Sequence, residues 1–139
     1  MISVVPAEAG MLLRMRVQRA QALHPKMTFA MVSRAIETGQ AWAAVDGTAP
    51  LALGGLSPQT DTRAVVWGVL SDSIGATMTL IHREVRRRLA VAAFERIEAH
   101  IALDHDEGHR WIRLLGFEQE GVMRKFFQGR DFALYARVR

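Results

Sequence analysis

The fourteen residues DHDEGHRWIRLLGF, 104 to 117, hold two aspartates, a glutamate, two histidines and a Gly-Phe pair. His105 and His109 stand four apart and would share one face of a helix. Two imidazoles at that spacing can hold a zinc ion when a third ligand arrives from elsewhere, and His100 is the nearest one. Against a metal, no glutamate occupies the HExxH position. Asp104 and Asp106 at a helix start are ordinary capping and dipole chemistry. The stretch therefore reads as a helix entry bordering a groove, and no metal ligand is assigned.

A second charged constellation is Arg83, Glu84, Arg86, Arg87 and Arg88. Arginines spaced along a helix can track phosphates. Here Glu84 is interleaved, four residues before Arg88 in the favourable orientation for a helical ion pair, and no aromatic stacking partner shares the face. A solvated helix face is the expectation, and nucleic acid is disfavoured as a partner. Phe126 and Phe127, behind Arg124 and Lys125, fit an exposed contact patch for a partner or burial under a sheet edge equally well.

The elements that would position these residues follow from periodicity. Residues 7–22 read as a helix opened by Pro6, with Leu13, Val17 and Ala20 on one face and Leu12 and Met15 beside them. After His24-Pro25, Thr28 can cap a second helix whose stripe is Phe29, Val32 and Ile36 and whose stop is Gly39. AWAAV (41–45) and LALGGL (51–56) form a strand-turn-strand pattern around Asp46-Gly47 and Pro50. RAVVWGVL (63–70) is a strand apolar enough to be buried on both faces. Gly54, Gly55 and Gly68 predict bulges or close backbone approaches. Trp67 is expected in the core, while Trp42 fits either the core or a pocket wall.

Met78, Ile81, Val85, Leu89 and Ala92 then make a clean helical stripe. A strand at 97–103, a helix at 106–115 closed by Gly116, and strands at 117–123 and 131–138 complete the chain. The expected order is ααβββαβαββ, with no repeat or linker.

With 139 residues, 50% of them hydrophobic and 23% charged, the composition is that of one globular domain with a proper core. The absence of cysteine excludes disulfides, thiolate metal sites and cysteine nucleophiles. Neither a signal-peptide pattern in MISVVPAEAG nor an apolar run of membrane-spanning length is present, so a cytoplasmic protein without a membrane partner is expected. The net charge of +4 comes from arginines spread along the chain. A GC-rich coding sequence explains them better than a phosphate-bearing partner does.

The element order together with LLGFEQEG resembles the GNAT (Gcn5-related N-acetyltransferase) superfamily, in which a strand and a short helix lead into a Gly-Phe at the next strand. Here the strand is IEAHIAL, the helix EGHRWIRLL and the pair Gly116-Phe117. Arg110-Trp111 ahead of Leu115-Gly116-Phe117, with RAVVWGVLSD and GRDFALYARV, is similar to bacteriophage GNAT-like proteins, including relatives of internal virion proteins. The resemblance implies an α+β fold, with a mixed, mostly antiparallel central sheet flanked by helices, and one acyltransferase domain over 1–139.

The resemblance also implies acetyl transfer from acetyl-CoA to an amine. The cofactor would enter where strand 65–70 splays from strand 97–103, and backbone N–H groups near Val69 and Leu70 would hold the thioester oxygen. Such enzymes hold pyrophosphate on a Gly- and Arg-rich loop before the central helix. This chain offers Gly75, Ala76 and Thr77 there, with one glycine and no arginine, so the simpler alternative is that Ser73 or Thr77 merely caps the helix. His105 replaces the asparagine that touches the pantetheine arm, and Ile112 stands where the thiolate-protonating tyrosine often is. Asp72 and His100 are the nearest candidates by position for the acceptor's proton.

Three readings result. The first is an N-acyltransferase with an atypical loop, whose partners are a CoA thioester and an amine. The second is an inactive phage-derived protein, virion-associated and bound to a protein partner. The third is a CoA-dependent modifier of nucleic acid. A homodimer is compatible with each.

Overall fold

A computed structural model describes residues 1–18 and 25–139, with side chains from residue 29 onward in the second span. The elements are β1 (Ile2–Pro6), a 3-10 turn (Ala9–Arg14), α1 (Pro25–Thr38), β2 (Gln40–Asp46), β3 (Ala49–Pro58), β4 (Arg63–Leu70), a second 3-10 turn (Gly75–Thr77), α2 (Met78–Val91), β5 (Arg96–Ala102), α3 (Asp106–Leu114), β6 (Glu118–Phe127) and β7 (Arg130–Val138). The strands form one sheet in the order β1-β2-β3-β4-β5-β7-β6. β1 with β2, β2 with β3, β5 with β7, and β6 with β7 are antiparallel, whereas β4 and β5 run parallel. The expected α+β class and mostly antiparallel sheet are found.

The contacts divide the chain into two compact units. One comprises Met1–Ser57 and Trp67–Ala92, the other Pro58–Val66 and Ala93–Arg139.

The first unit is where the sequence expectation fails. The described part of the expected helix 7–22, residues 7–18, is not one helix. A strand ending at Pro6 pairs with β2 from Ile2↔Asp46 to Pro6↔Trp42, and the short turn Ala9–Arg14 follows. Proline suits this place because β1 is an edge strand. Met15 is already extended, and the next backbone groups bond to the end of β4 instead of to a helical neighbour. Tertiary pairing thus overrides the helical pattern. With three residues per turn the buried residue is Met11, and Leu13 of the expected stripe is 79% exposed. Ala20 lies outside the described residues. α1 starts at Pro25, so Thr28 stands inside it and not at its cap, while Gly39 follows its end as expected.

Met11 joins Ala7, Val32, Ala43, Leu53 and Val69 in the core, with Ile36 and Trp67 packed against it. Phe29, expected in the stripe of α1, is exposed. Trp42 is buried, with the Arg88 guanidinium 5.3 Å from its ring centroid. Close approach accounts for two of the strand glycines. A Cβ on Gly55 would run into Gln40 O, and one on Gly54 would lie 3.3 Å from Trp67 O. At Gly68 only an ordinary contact of 3.7 Å would arise. In α2, Ile81 and Leu89 are buried and Met78 and Val85 half-buried. β4 is less enclosed than its composition suggests, since Val65, Val66 and Trp67 are half-buried and Gly68 is exposed.

In the second unit β7 lies between β5 and β6, and its Ala133 and Tyr135 are fully buried. α3 is closed by Gly116 at φ +90°. Ile112, Leu115 and Phe117 bury the apolar side of this helix and its exit. No described helix is long and apolar enough to cross a membrane.

Candidate functional site

In the first unit, β4 runs into α2 through a junction built around one apolar anchor. Ile74 is 7% exposed, and Gly75 turns the chain at φ +47°, a conformation that glycine adopts without strain. Thr77 N–H donates to Ile74 O at 3.0 Å, and Ser73 N–H to Ser71 Oγ at 3.2 Å. The two serine hydroxyls are 2.9 Å apart. Gly75 and Ala76 are exposed and open the 3-10 turn, where N–H groups lack an acceptor within the turn. A Cβ at Gly75 would meet nothing within 4 Å.

Neither Ser73 nor Thr77 caps α2 with its side chain, and no acid stands in the first turn to offset the helix dipole. The simple capping role expected for these two residues is therefore not what the structure contains. The junction leaves exposed amides at the positive end of a helix, a chemistry suited to an anion.

The backbone just before it is already engaged. Ser71 N–H donates to Leu51 O of β3 at 2.8 Å, so residue 71 faces β3, and by strand alternation so does Val69. Leu70 and Asp72 face the opposite edge. There Gln18 N–H donates to Leu70 O at 2.9 Å, and Asp72 N–H donates to Arg16 O at 2.7 Å. Val17 and Ser71 form an isolated antiparallel bridge between these bonds. The Asp72 carboxylate lies 3.4 Å from Arg16 Nε, with both side chains well exposed. Of the residues expected to act together, this unit holds Val69, Leu70, Asp72, Gly75, Ala76 and Thr77.

His100 and His105 belong to the second unit. His100 sits on β5 opposite Leu134, its ring edge-on to Phe126 with centroids 4.9 Å apart. Its Nε2 is 4.0 Å from Glu98 Oε1. Burial pushes the imidazole below its usual pKa, Glu98 pulls it up, and Arg63 pushes it further down. The ring is therefore neutral at pH 7, with a lone pair that can take a proton. Glu98 is buried and accepts from Arg63 Nε and Arg96 Nε, each at 2.7 Å. Hydrogen bonding from Arg63, opposed by burial and reinforced by Arg96, holds this carboxyl below the usual range. Arg96 also reaches both oxygens of Glu120, at 2.6 and 3.1 Å.

His105 stands at the N-cap of α3 without a side-chain cap bond, its ring over Gly108. Burial lowers its pKa as well. His109 points elsewhere. Its Nε2 faces Ala102 O at 3.0 Å and Leu103 O at 3.2 Å, which fixes a proton there, and Nδ1 accepts from Tyr135 OH at 2.7 Å. Both ring nitrogens are thus used, and His109 has no lone pair to offer a metal. Among the described residues no cluster of three metal-ligating side chains occurs. Ile112 is buried, and so is Tyr135, the only tyrosine in the chain.

Sequence reasoning missed Glu98 and the pairing of residues 16–18 with β4. The strand period of two would have found the acid, because it places Glu98 and His100 on one face of β5. No local signal announces the second. On α2, Glu84 pairs with Arg87 as well as with Arg88, each at 2.7 Å, and Arg83 and Arg86 remain exposed. Phe126 is 45% exposed and Phe127 half-buried, so the pair divides between the two roles considered for it.

No family model matches the sequence, and no curated protein matches it. Solved structures do. A spermidine N-acetyltransferase, a chimera of SpeG from Vibrio cholerae and hSSAT, superposes with a TM-score of 0.72 at 14% identity, covering 99% of this chain and 95% of that one. A candidate phosphinothricin N-acetyltransferase gives 0.70 at 14% identity, covering 99% and 98%. The ribosomal-protein-S5-alanine acetyltransferase of Vibrio fischeri gives 0.69 at 15% identity, covering 99% and 92%. The architecture of this chain is the GNAT fold.

Proposed function

We propose that this chain is an N-acyltransferase of the GNAT superfamily, moving an acetyl group from acetyl-CoA to an amine, with residues 1–139 acting as one domain. The observation that carries this reading is the fold match over 99% of the chain to solved structures named as acetyltransferases. The exposed amides of Gly75 and Ala76, beside Thr77 at the start of α2, suit the pyrophosphate, with helix dipole and backbone donors in place of the missing arginine. The Leu70 backbone faces the edge of β4 along which the thioester arm would lie. Val69, turned toward β3, supports that strand from the core. By the resemblance, His105 would stand where the asparagine that touches the arm does.

The thioester supplies an activated acetyl group. As the amine nitrogen bonds to the acetyl carbon the carbon–sulfur bond breaks, and the amine must lose a proton. His100, neutral and half-buried, is the better acceptor for that proton. Asp72 is exposed and already paired with Arg16.

The test is a thermal titration with acetyl-CoA. Ligand at a hundredfold over its dissociation constant stabilises the native state by about 2.7 kcal/mol. Gly75→Glu should weaken binding about a hundredfold by placing a carboxylate against the phosphates. Gly75→Asn tolerates the left-handed backbone and should bind within a few-fold of the wild type. If saturating acetyl-CoA leaves the melting temperature unchanged, the reading fails. The second reading, an inactive GNAT-like protein of phage origin serving as a virion or interaction component, would then stand. It is favoured by the arginine-free loop and the occupied edge of β4. Modification of nucleic acid has less support, because Glu84 neutralises part of the arginine face. Cytoplasmic residence and a homodimer remain compatible with the first reading.

A further inference from the structure

We propose that Arg16, Val17 and Gln18 are an internal competitor for the thioester arm, a strap that must leave β4 before a ligand bearing amide groups can use that edge. The inference rests on the acyl-CoA reading above and adds to it a means of regulating the same site. Its ground is the pairing pattern in the first unit. Beyond the last residue of β4, Ser71 N–H is bonded to β3, so the groups that remain for an incoming ligand are those facing the other way. Leu70 O and Asp72 N–H form such a pair, an acceptor and a donor two residues apart on one edge. An extended arm with an amide donor and an amide acceptor would pair with them as a strand does. Both are already taken, by Gln18 N–H at 2.9 Å and Arg16 O at 2.7 Å. The strap therefore imitates the hydrogen bonds of an amide-bearing arm.

The hold is light. Among the described residues the pairing with Ser71 is an isolated bridge through Val17. Its side-chain supports are a long contact of 3.4 Å from Gln18 Nε2 to Ser71 O and an exposed ion pair from Arg16 to Asp72, also at 3.4 Å. Exposed pairs of that kind contribute little. The strap also follows a short 3-10 turn instead of the long helix that the sequence pattern predicts, so no rigid element holds it down from that side. Backbone bonds from Gln18 and Asp72 with weak side-chain support are of the kind that a ligand of moderate affinity can displace.

Gln18→Pro removes the donor to Leu70 O and leaves Asp72 and the loop untouched. Gln18→Ala removes only the side-chain contact. Acetyl-CoA is titrated calorimetrically into the full chain of the wild type and both variants, and backbone exchange at Gln18 is followed in the wild type with and without saturating acetyl-CoA. The expected result is about tenfold tighter binding by the proline variant, the worth of one backbone hydrogen bond in the competing state. The alanine variant should stay within about twofold of the wild type, and exchange at Gln18 should be faster in the complex. Binding by the proline variant alone also supports the strap.

Equal affinities together with unchanged protection of Gln18 in the complex would overturn the strap while the acyl-CoA reading stands. No binding by any of the three proteins would sink both. The exchange measurement needs no variant, so it decides the matter even if Gln18→Pro fails to fold.

Discussion

The junction after β4 and the face of β5 handle polarity in opposite ways. After β4 the chemistry lies in the main chain: exposed amides at Gly75 and Ala76, a glycine at φ +47°, and backbone pairing with residues 16–18. Its ion pair, Arg16 with Asp72, is exposed. On β5 the chemistry lies in side chains. A buried glutamate accepts from two arginines, one of them shared with Glu120, and a neutral histidine stands at 4.0 Å. The first arrangement can change by moving a segment, the second only by moving a proton. A group meant to be displaced is lightly held, whereas a group meant to keep one protonation state is held by several partners.

That contrast breaks most clearly at Glu98. Glu98→Ala leaves Arg63 and Arg96 without their shared acceptor and should cost about 2 kcal/mol of unfolding free energy, less than a fully buried pair because Arg63 can reach water. Urea denaturation measures it, and a loss below about 0.5 kcal/mol would put β5 in the same class as the junction.

Next in size is His100→Gln. The acetylation rate should fall about a hundredfold with the acetyl-CoA dissociation constant unchanged, because the ring serves proton transfer and not cofactor binding. A change confined to KM would remove it from that role.

The pH dependence sharpens the same point. Glu98 has a depressed folded pKa, so its contribution is complete above the ordinary carboxylate value and is lost as pH falls through the folded one. His100 is also depressed. Between its lowered value and the ordinary 6.5 the unfolded chain binds the extra proton, so stability declines as pH falls through that window. Acid titration of wild type and Glu98→Gln should show the carboxylate loss only in the former. Smallest is Asp72→Ala, expected within about 0.5 kcal/mol of the wild type because its ion pair is exposed. A larger effect would mean that the junction is held as firmly as the β5 face.

The same division sets what could be read in advance. Strands with turn signals were legible, and β4 has the limits its pattern predicts, 63 to 70. So was α2, where Ile81 and Leu89 repeat with the helical period. Residues 7–22 were not, because Leu13 and Val17 fit a helical stripe as well as they fit anything local. The fate of Arg16, Val17 and Gln18 was decided by the end of β4, far along the chain. Gly75 and Ala76 were legible as candidates, since a glycine before a helix has few uses. Whether the neighbouring edge of β4 is open depends on backbone bonds between residues about fifty apart, which no spacing encodes. Tyr135 lies too far along the chain for the thiolate-protonating role, and its hydroxyl is spent on His109 inside the fold.

The placement of β7 carries a cost during synthesis. β6 pairs with β7, and β5 pairs with β7 along its whole length from Arg96↔Val138 to Ala102↔Phe132. While the ribosome is still translating residues 130–138, β5 lacks its antiparallel partner and β6 lacks the neighbour that fixes its register. The growing chain must therefore carry unpaired strand edges until nearly its last described residue emerges. In that interval it is most exposed to association with other nascent chains, and a chaperone that shields strand edges would have the most to do.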